Sequence, residues 1–393
     1  MRVIYVTGKG GTGKSVIASA TALLLADSGY ETLLLSSDPA HSLRDALGVE
    51  IHTTPTKIAD KLWAQNVDPI KEAAEHYKEI LDYIALLLKT RGLNEVLAYE
   101  IASIPGMTGI ATMLKLAHIY EENSYDAIVI DTVPSGEALR YLYIPTIIGK
   151  ISRRLMRIIY PLADVGKAVE PIVGIPTPSK EIVKKEIEIL DKIEKVRDIL
   201  LDHDITSLRL ITNPDSFSIG NTRRTYIQAS IYGLNTDLII INKVLPSSIK
   251  DPYFSNWIDE QNKFIREVEI AFYPIPTKKL RLFDKELKGI NMLRKAAEEL
   301  YRDEDPYRVY YKGKKLEVNT YDNNLEIVLP VPFISKSDLD IERIGDELIV
   351  KLKTDMGDVT LVVPLPTITF KMKLSYAKLM NNELRLYFTG DYK

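Results

Sequence analysis

The residues Gly8-Lys9-Gly10-Gly11-Thr12-Gly13-Lys14-Ser15 have the types and spacing to hold a phosphate. They read both as G-x-G-x-x-G, the dinucleotide fingerprint, and as G-x-x-x-x-G-K-S, the phosphate loop. Successive backbone N–H groups of such a loop wrap an anion, and the helix opening at Ser15 adds the partial positive charge of its N-terminus. Lys14 brings an ammonium for the β and γ oxygens, and Ser15 a hydroxyl suited to magnesium. A dinucleotide pyrophosphate needs neither, so this pair favours a nucleoside triphosphate over a dinucleotide or a purely structural glycine turn. Two carboxylates fit the same chemistry. The apolar run Ala127–Asp131 ends in an acid of the kind that holds magnesium through water. Asp38 ends another run, where it could orient the water that attacks the γ-phosphate. Taken alone, each is equally an ordinary strand-end acid: Asp38 could cap the turn before Pro39, or contact a ribose.

Such groups need a frame, and the surrounding pattern supplies one. Arg2–Val6 is a short apolar run, followed after the glycines by a helical pattern from Ser15 to Ser28 that Gly29 closes. A second run covers Thr32–Leu35, and further strand-like runs lie at Ala127–Asp131, Leu208–Thr212, Asp237–Asn242 and Glu269–Tyr273. Continuous Val, Ile and Leu indicate parallel strands buried on both faces. Their alternation with helices predicts an α/β fold, a doubly wound, mostly parallel sheet. Two helical insertions, about 56–122 and 147–201, follow strand C-terminal ends and are expected to form one layer beside the nucleotide edge. After Asp305-Pro306 short β runs alternate with turn signals at Asn323-Asn324, Gly345-Asp346, Met356-Gly357-Asp358 and Asn381-Asn382. Leu348–Leu352 and Val359–Val363 read as a hairpin, so an all-β sandwich is expected over 308–393, after a P-loop α/β domain at 1–303.

Composition narrows the chemistry. The 393 residues carry a net charge of -3, which removes the simplest electrostatic case for a nucleic-acid binder. There is no cysteine, which excludes disulfides, thiolate zinc sites, iron–sulfur clusters and cysteine nucleophiles together. Five histidines argue against a histidine-rich metal site. No run reaches the roughly 18–20 apolar residues of a membrane span. A strand that begins at Arg2 leaves no room for a signal peptide, so a cytoplasmic enzyme is expected.

The motifs together are more specific. Lys9–Ser15 resembles the deviant phosphate loop K-G-G-x-G-K-S/T of ATPases that work as nucleotide-sandwich dimers. Ser37-Asp38-Pro39-Ala40-His41-Ser42-Leu43-Arg44-Asp45 resembles the first switch of the arsenite-pump ATPase family, which includes the ATPases that target tail-anchored membrane proteins. Asp131-Thr132-Val133-Pro134-Ser135-Gly136-Glu137 is similar to its second switch, with Glu137 where the family commonly has histidine. Ile241–Pro246 resembles its adenine-contacting N-x-V-L-P segment, and Glu286–Gly289 its E-x-x-G segment near the base. The terminal β region resembles the small heat-shock (α-crystallin) sandwich through Asp346–Val350, Val363–Pro366 and Ala377–Leu386, with a generic Ig-like appendage as the alternative.

The resemblance implies roles. ATP would be held by Gly8 through Ser15 and Val16, with Asn242 and Pro246 at the adenine. Magnesium would sit on Ser15, with Asp131 in its outer shell. Lys14 would hold the phosphates, Asp38 would orient water, and Lys9 would reach across a homodimer to the partner's phosphates, supplying charge in trans as an arginine finger does. The implied activity is ATP hydrolysis by a homodimer that opens and closes a hydrophobic helical surface for a client segment, a tail-anchored protein or a chaperone client. The absence of thiols leaves neither the zinc clasp of the targeting members nor thiol-bound arsenite. The alternatives are a partitioning or positioning ATPase acting on a surface, a pump-energising ATPase that does not bind arsenite through thiols, and a metabolic ligase or kinase. Met107, Met113 and Met156 fall in the helical insertions, where methionine adapts to varied apolar partners or simply fills core.

Overall fold

The computed structural model describes residues 1–37, 42–68, 71–72, 107–132, 180–314, 317–321, 324–344, 347–353, 358–365, 369 and 372–390. The first sheet contains β1 (Arg2–Gly8), β2 (Thr32–Ser36), β3 (Thr56–Ala59), β4 (Leu62–Asn66), β5 (Ala127–Asp131), β6 (Thr206–Thr212), β7 (Thr236–Val244) and β8 (Thr277–Arg281). They lie in the order β3-β4-β2-β5-β1-β6-β7-β8, parallel throughout except for the β3–β4 pair. β1, β2, β5 and β6 are buried along their whole length, as unbroken apolar strands must be.

Helices α1 (Lys14–Asp27), α2 (Ser42–Leu47), α3 (Met107–Glu122), α4 (Lys180–Leu201), α5 (Ser216–Ile231), α6 (Pro252–Ala271) and α7 (Ile290–Tyr301) cover the two faces. Side chains of β1 alternate between the layers. Val3 and Tyr5 join a core with Met113, Leu116, Val196, Leu200 and Val268. Ile4 and Val6 join the other, with Ile17, Leu23, Leu293 and Leu300. This is the doubly wound sheet read from the sequence. Met113 is buried in it and acts as core rather than as a client contact.

Two expectations need correction. The first insertion does not begin as helix: Thr56–Asn66 is a β-hairpin that extends the sheet, with Lys61 at φ 55 in its turn and Leu62 and Ala64 fully buried. A period-2 run this short is easily absorbed into a longer helical pattern. The Glu269–Tyr273 run is not a strand. It completes α6, whose buried Gln261, Ile265 and Val268 keep helical spacing, and Phe272 caps it with its ring in the core. The strand beside β7 is β8 instead. Residues 73–106 and 133–179, which hold most of both helical insertions, lie outside the described residues.

The C-terminal region is all antiparallel. Strands β9 (Glu317–Tyr321), β10 (Asn324–Pro330), β11 (Leu339–Ile344), β12 (Glu347–Leu352), β13 (Val359–Pro364), β14 (Lys373–Met380) and β15 (Glu383–Thr389) form a sheet β14-β15-β10-β9 and a sheet β11-β12-β13. Leu325, Ile327 and Leu329 of β10, Leu384, Leu386 and Phe388 of β15, and Leu348, Val350 and Leu352 of β12 fill one core at period 2. The expected hairpin is present, with Leu348 opposite Val363. Asn381 and Asn382 have φ of 50° and 61°, the double left-handed turn that suits a two-residue hairpin. Ile227 and Ile231 of α5 enter this same core and tie the region to the first sheet.

A buried charge cluster fastens the segment after α7. Arg209 and Asp237 are fully buried, with Nε and Oδ1 3.5 Å apart. Arg209 donates to the carbonyl of Pro306 at 2.6 Å and to Tyr301 Oη at 3.1 Å. Arg2 donates to Tyr307 O at 2.9 Å, Ile205 O at 2.7 Å and Ser207 Oγ at 2.6 Å. Burial, then the like charge of Arg209, pulls the Arg2 guanidinium down to about 10 despite Asp237. It stays cationic at neutral pH.

Candidate active site

β1 ends between β5 and β6, with Val6 level with Asp131 and Gly8 level with Ile211. Here the connections diverge, α1 leading to β2 on one side while β6, β7 and β8 extend the other. Such a divergence opens a crevice at the strand ends. The loop Lys9–Gly13 fills it. A Cβ on Gly8 would overlap the carbonyl of Ile211, so only glycine lets the loop start this close to β6.

The loop is braced from within and from β7. Thr12 Oγ1 donates to Lys9 O at 2.8 Å, and the Lys14 ammonium donates to the same oxygen at 3.4 Å. Asn242, at the end of β7, donates from Nδ2 to Thr12 O at 2.8 Å and accepts from the Lys243 N–H at 2.9 Å. Lys243 has φ 57, and its ammonium donates to Gly11 O at 2.8 Å. Carbonyls of Lys9, Gly11 and Thr12 are thus engaged by internal donors, where as open acceptors they would repel a phosphate. Gly13, at φ 96, lies so near the Asn242 amide that a Cβ would overlap it. Ile17 N–H donates to Gly13 O at 3.0 Å, so the helical ladder begins directly beneath the loop.

On the other side a chain of oxygens leads to the carboxylate. Ser15 Oγ donates to Ser42 Oγ at 2.8 Å, and Ser42 Oγ lies 3.4 Å from Asp131 Oδ2. Asp131 is fully buried at the end of β5, and its carbonyl accepts from the N–H and the hydroxyl of Ser37. Serine hydroxyls and a carboxylate are hard oxygen donors. They fit magnesium, which is bound by one or two protein oxygens together with substrate phosphates. The E-x-x-G segment meets α2 from below, where Gly289 N–H donates to Ala46 O at 2.8 Å.

The structure therefore brings Gly8–Ser15, Asn242 and Asp131 together around one cleft. Asn242 is placed as a brace of the loop, a role the motif reading did not give it. Asp38 and Glu137 lie outside the described residues. Ser42, Lys243 and Phe217 were not singled out from the sequence. The first two stand inside quoted motifs, but nothing in residue type distinguishes a bridging serine from a solvated one. Phe217 stands in no motif, yet its ring carries the Lys9 ammonium 3.5 Å from its centroid.

Residues 1–302 match the family model described as anion-transporting ATPase, and residues 322–388 match an HSP20-like domain found in ArsA. The chain belongs to the anion-transporting ATPase family. A protein of Prosthecochloris vibrioformis, whose name proposes it as an arsenical pump-driving ATPase, is 32% identical over 93% of this chain and 91% of its own length. An Aquifex aeolicus protein with a name of the same kind is 30% identical over 99% of this chain and 100% of its own. The ATPase ASNA1 homolog of Dictyostelium discoideum is 26% identical over 78% of this chain and 91% of its own. This ATPase thus has both parts read from its sequence, a P-loop sheet and a heat-shock-like sandwich.

Proposed function

We propose that this ATPase hydrolyses magnesium-bound ATP as a cytoplasmic homodimer, and that nucleotide-driven closing reshapes a hydrophobic helical surface that holds a client protein segment. The observation that carries the reading is the braced loop with Ser15 joined through Ser42 to Asp131. It sets a braced phosphate loop beside a group of hard oxygen donors. In this reading residues 1–303 are the ATPase domain and 308–393 the α-crystallin-like domain.

The roles are those that the family motifs imply. Loop N–H groups from Gly8 to Val16 and the start of α1 hold the phosphates, and Lys14 moves from Lys9 O to the β and γ oxygens. Ser15 holds magnesium and Asp131 orients the ion's water shell. The ion, when bound, neutralises charge developing on the phosphate oxygens. Asn242 keeps its brace on Thr12 while its strand end, with Pro246, borders the adenine. Asp38 orients the attacking water, and Lys9 reaches the partner protomer's phosphates. A tail-anchored client is favoured by the relatives named as ASNA1 homologs. A pump-energising role is the second reading, favoured by the names of the bacterial relatives. With no cysteine in the chain, it would not bind arsenite through thiols. No helix among the described residues is long and apolar enough to cross a membrane.

The test is turnover and sedimentation of the full chain with and without magnesium and ATP. Wild type should hydrolyse ATP and sediment as a dimer only with nucleotide. K9A should lose both while still binding nucleotide as a monomer, and D38N should stay closed with ATP and turn over slowly. Normal turnover in K9A would remove the in-trans role. Failure to keep a tail-anchored segment soluble, or to suppress aggregation of a model substrate, would remove the client role and leave the ATPase.

A further inference from the structure

Phe217 is half exposed, 51% by area, on the first turn of α5. Its position is fixed from both sides. Asp215 caps the helix by accepting from Ser218 N–H and Ser218 Oγ, each at 2.8 Å. Ser218 and Ile219, the residues that follow, are buried. The backbone that carries the ring is therefore held in place, and onto the ring the Lys9 side chain folds, its ammonium 3.5 Å from the ring centroid. This is well inside the roughly 6 Å range of a cation–π contact. The Lys9 carbonyl is fixed by Thr12 and Lys14. Only the lysine side chain is left to swing, and in this structure it swings out of the phosphate loop to a residue of another helix.

We infer that Phe217 is a positioning residue for Lys9, a resting dock that keeps its ammonium off the loop's own phosphate site until a partner's nucleotide competes for it. The inference rests on the in-trans role proposed above. Physically it solves a problem set by two lysines in one loop. A second ammonium on a flexible four-carbon stem beside Lys14 would settle on the nearest phosphate, its own. The ring offers an alternative that is stronger than water and weaker than the charge-assisted contact a partner's phosphate would give. Lys9 is thereby held for use between protomers, and each closing event must lift two ammonium groups from two rings.

The experiment has two arms on the full chain. In the nucleotide-free protein labelled with [13C]lysine, the Lys9 ε-methylene resonance, identified by its loss in K9A, should lie upfield of the other lysines because it sits over the ring face. It should return to them in F217L, which keeps apolar bulk without the π face, and stay shifted in F217W. With a saturating nonhydrolysable ATP analogue and magnesium, F217L should dimerise more tightly. The gain should be about two- to fivefold per ring, about four- to twenty-five-fold for the dimer. An unshifted Lys9 resonance, or one unchanged by F217L, overturns the dock. A dimer constant that is unchanged or weaker in F217L overturns its restraining role. If K9A retains normal turnover, the in-trans reading fails, while the resonance still reports whether Lys9 rests on Phe217.

Discussion

Replacing Gly13 with alanine tests whether the end of β7 and the phosphate loop are one mechanical unit. The new Cβ would overlap Asn242 Nδ2, so the amide must leave, and its bonds to Thr12 O and from Lys243 N–H leave with it. At roughly 1 kcal/mol per neutral hydrogen bond, that loss is about 2 kcal/mol. Holding alanine at the left-handed φ of 96° adds about 1–2 kcal/mol. G13A should therefore cost about 3–4 kcal/mol and N242A about 2 kcal/mol. In the double variant the hydrogen bonds are lost only once, so its cost should again be about 3–4 kcal/mol rather than the additive 5–6 kcal/mol. Both tryptophans, Trp63 and Trp257, lie in the ATPase part of the chain, so urea unfolding followed by their fluorescence reports that part. A double variant less stable than G13A by the full cost of N242A would refute the shared contact. So would a G13A protein as stable as wild type.

Three further outcomes are expected. Removing the Ser42 hydroxyl with S42A should lower magnesium-dependent turnover about ten- to a hundredfold, the usual effect of losing a group that orients a metal's ligands, and leave nucleotide affinity without magnesium unchanged. Titrations with and without magnesium separate the two. Replacing Asp237 with alanine leaves the Arg2 and Arg209 guanidiniums buried without their carboxylate, which should cost about 3–5 kcal/mol and lower the thermal midpoint. The third concerns Glu383, whose carboxyl the Lys314 ammonium holds below the ordinary carboxylate range, against burial and with help from Arg385. A lowered folded value means the stabilisation is fully present above the unfolded value of about 4.3 and is lost as pH falls from there through the folded value. Hydrogen exchange of β15 should accelerate across that acid window in wild type, and E383Q should flatten the dependence.

Much of the ATPase part was legible because its strands are buried on both faces and so cannot alternate with polar residues. Val3–Val6 and Ile128–Ile130 could be little else beside a glycine loop and a helix of that length. The errors came where local pattern is weak. Thr56–Asn66 is a short hairpin at the sheet margin, and Glu269–Tyr273 gains its β look from the last turn of an amphipathic helix followed by an aromatic cap. In the site, Lys14 and Ser15 were recognisable from their spacing behind the glycines, and Asp131 as an acid that ends an apolar run. The brace from Asn242 and Lys243, the bridge through Ser42 and the ring of Phe217 depend on which side chains meet across more than 20 to 200 positions of chain. No periodicity in the sequence encodes such meetings.

The segment that follows α7 also sets a clock. Arg2 lies in the first strand of the sheet, yet one of its acceptors is the carbonyl of Tyr307, and Arg209 finds one of its own at Pro306. Synthesis of about 300 residues at roughly 5–20 residues per second separates the arginine from that acceptor by about 15–60 s. Before then the two guanidiniums can reach Asp237, Ser207 and the carbonyl of Ile205, but not these two backbone acceptors. The last backbone acceptors of the two arginines therefore arrive only once the ribosome has passed the end of the 1–302 match and begun the connection to the sandwich. A gene fragment cut at that match would encode every site residue proposed here, and a protein in which Arg2 and Arg209 never receive their last backbone partners.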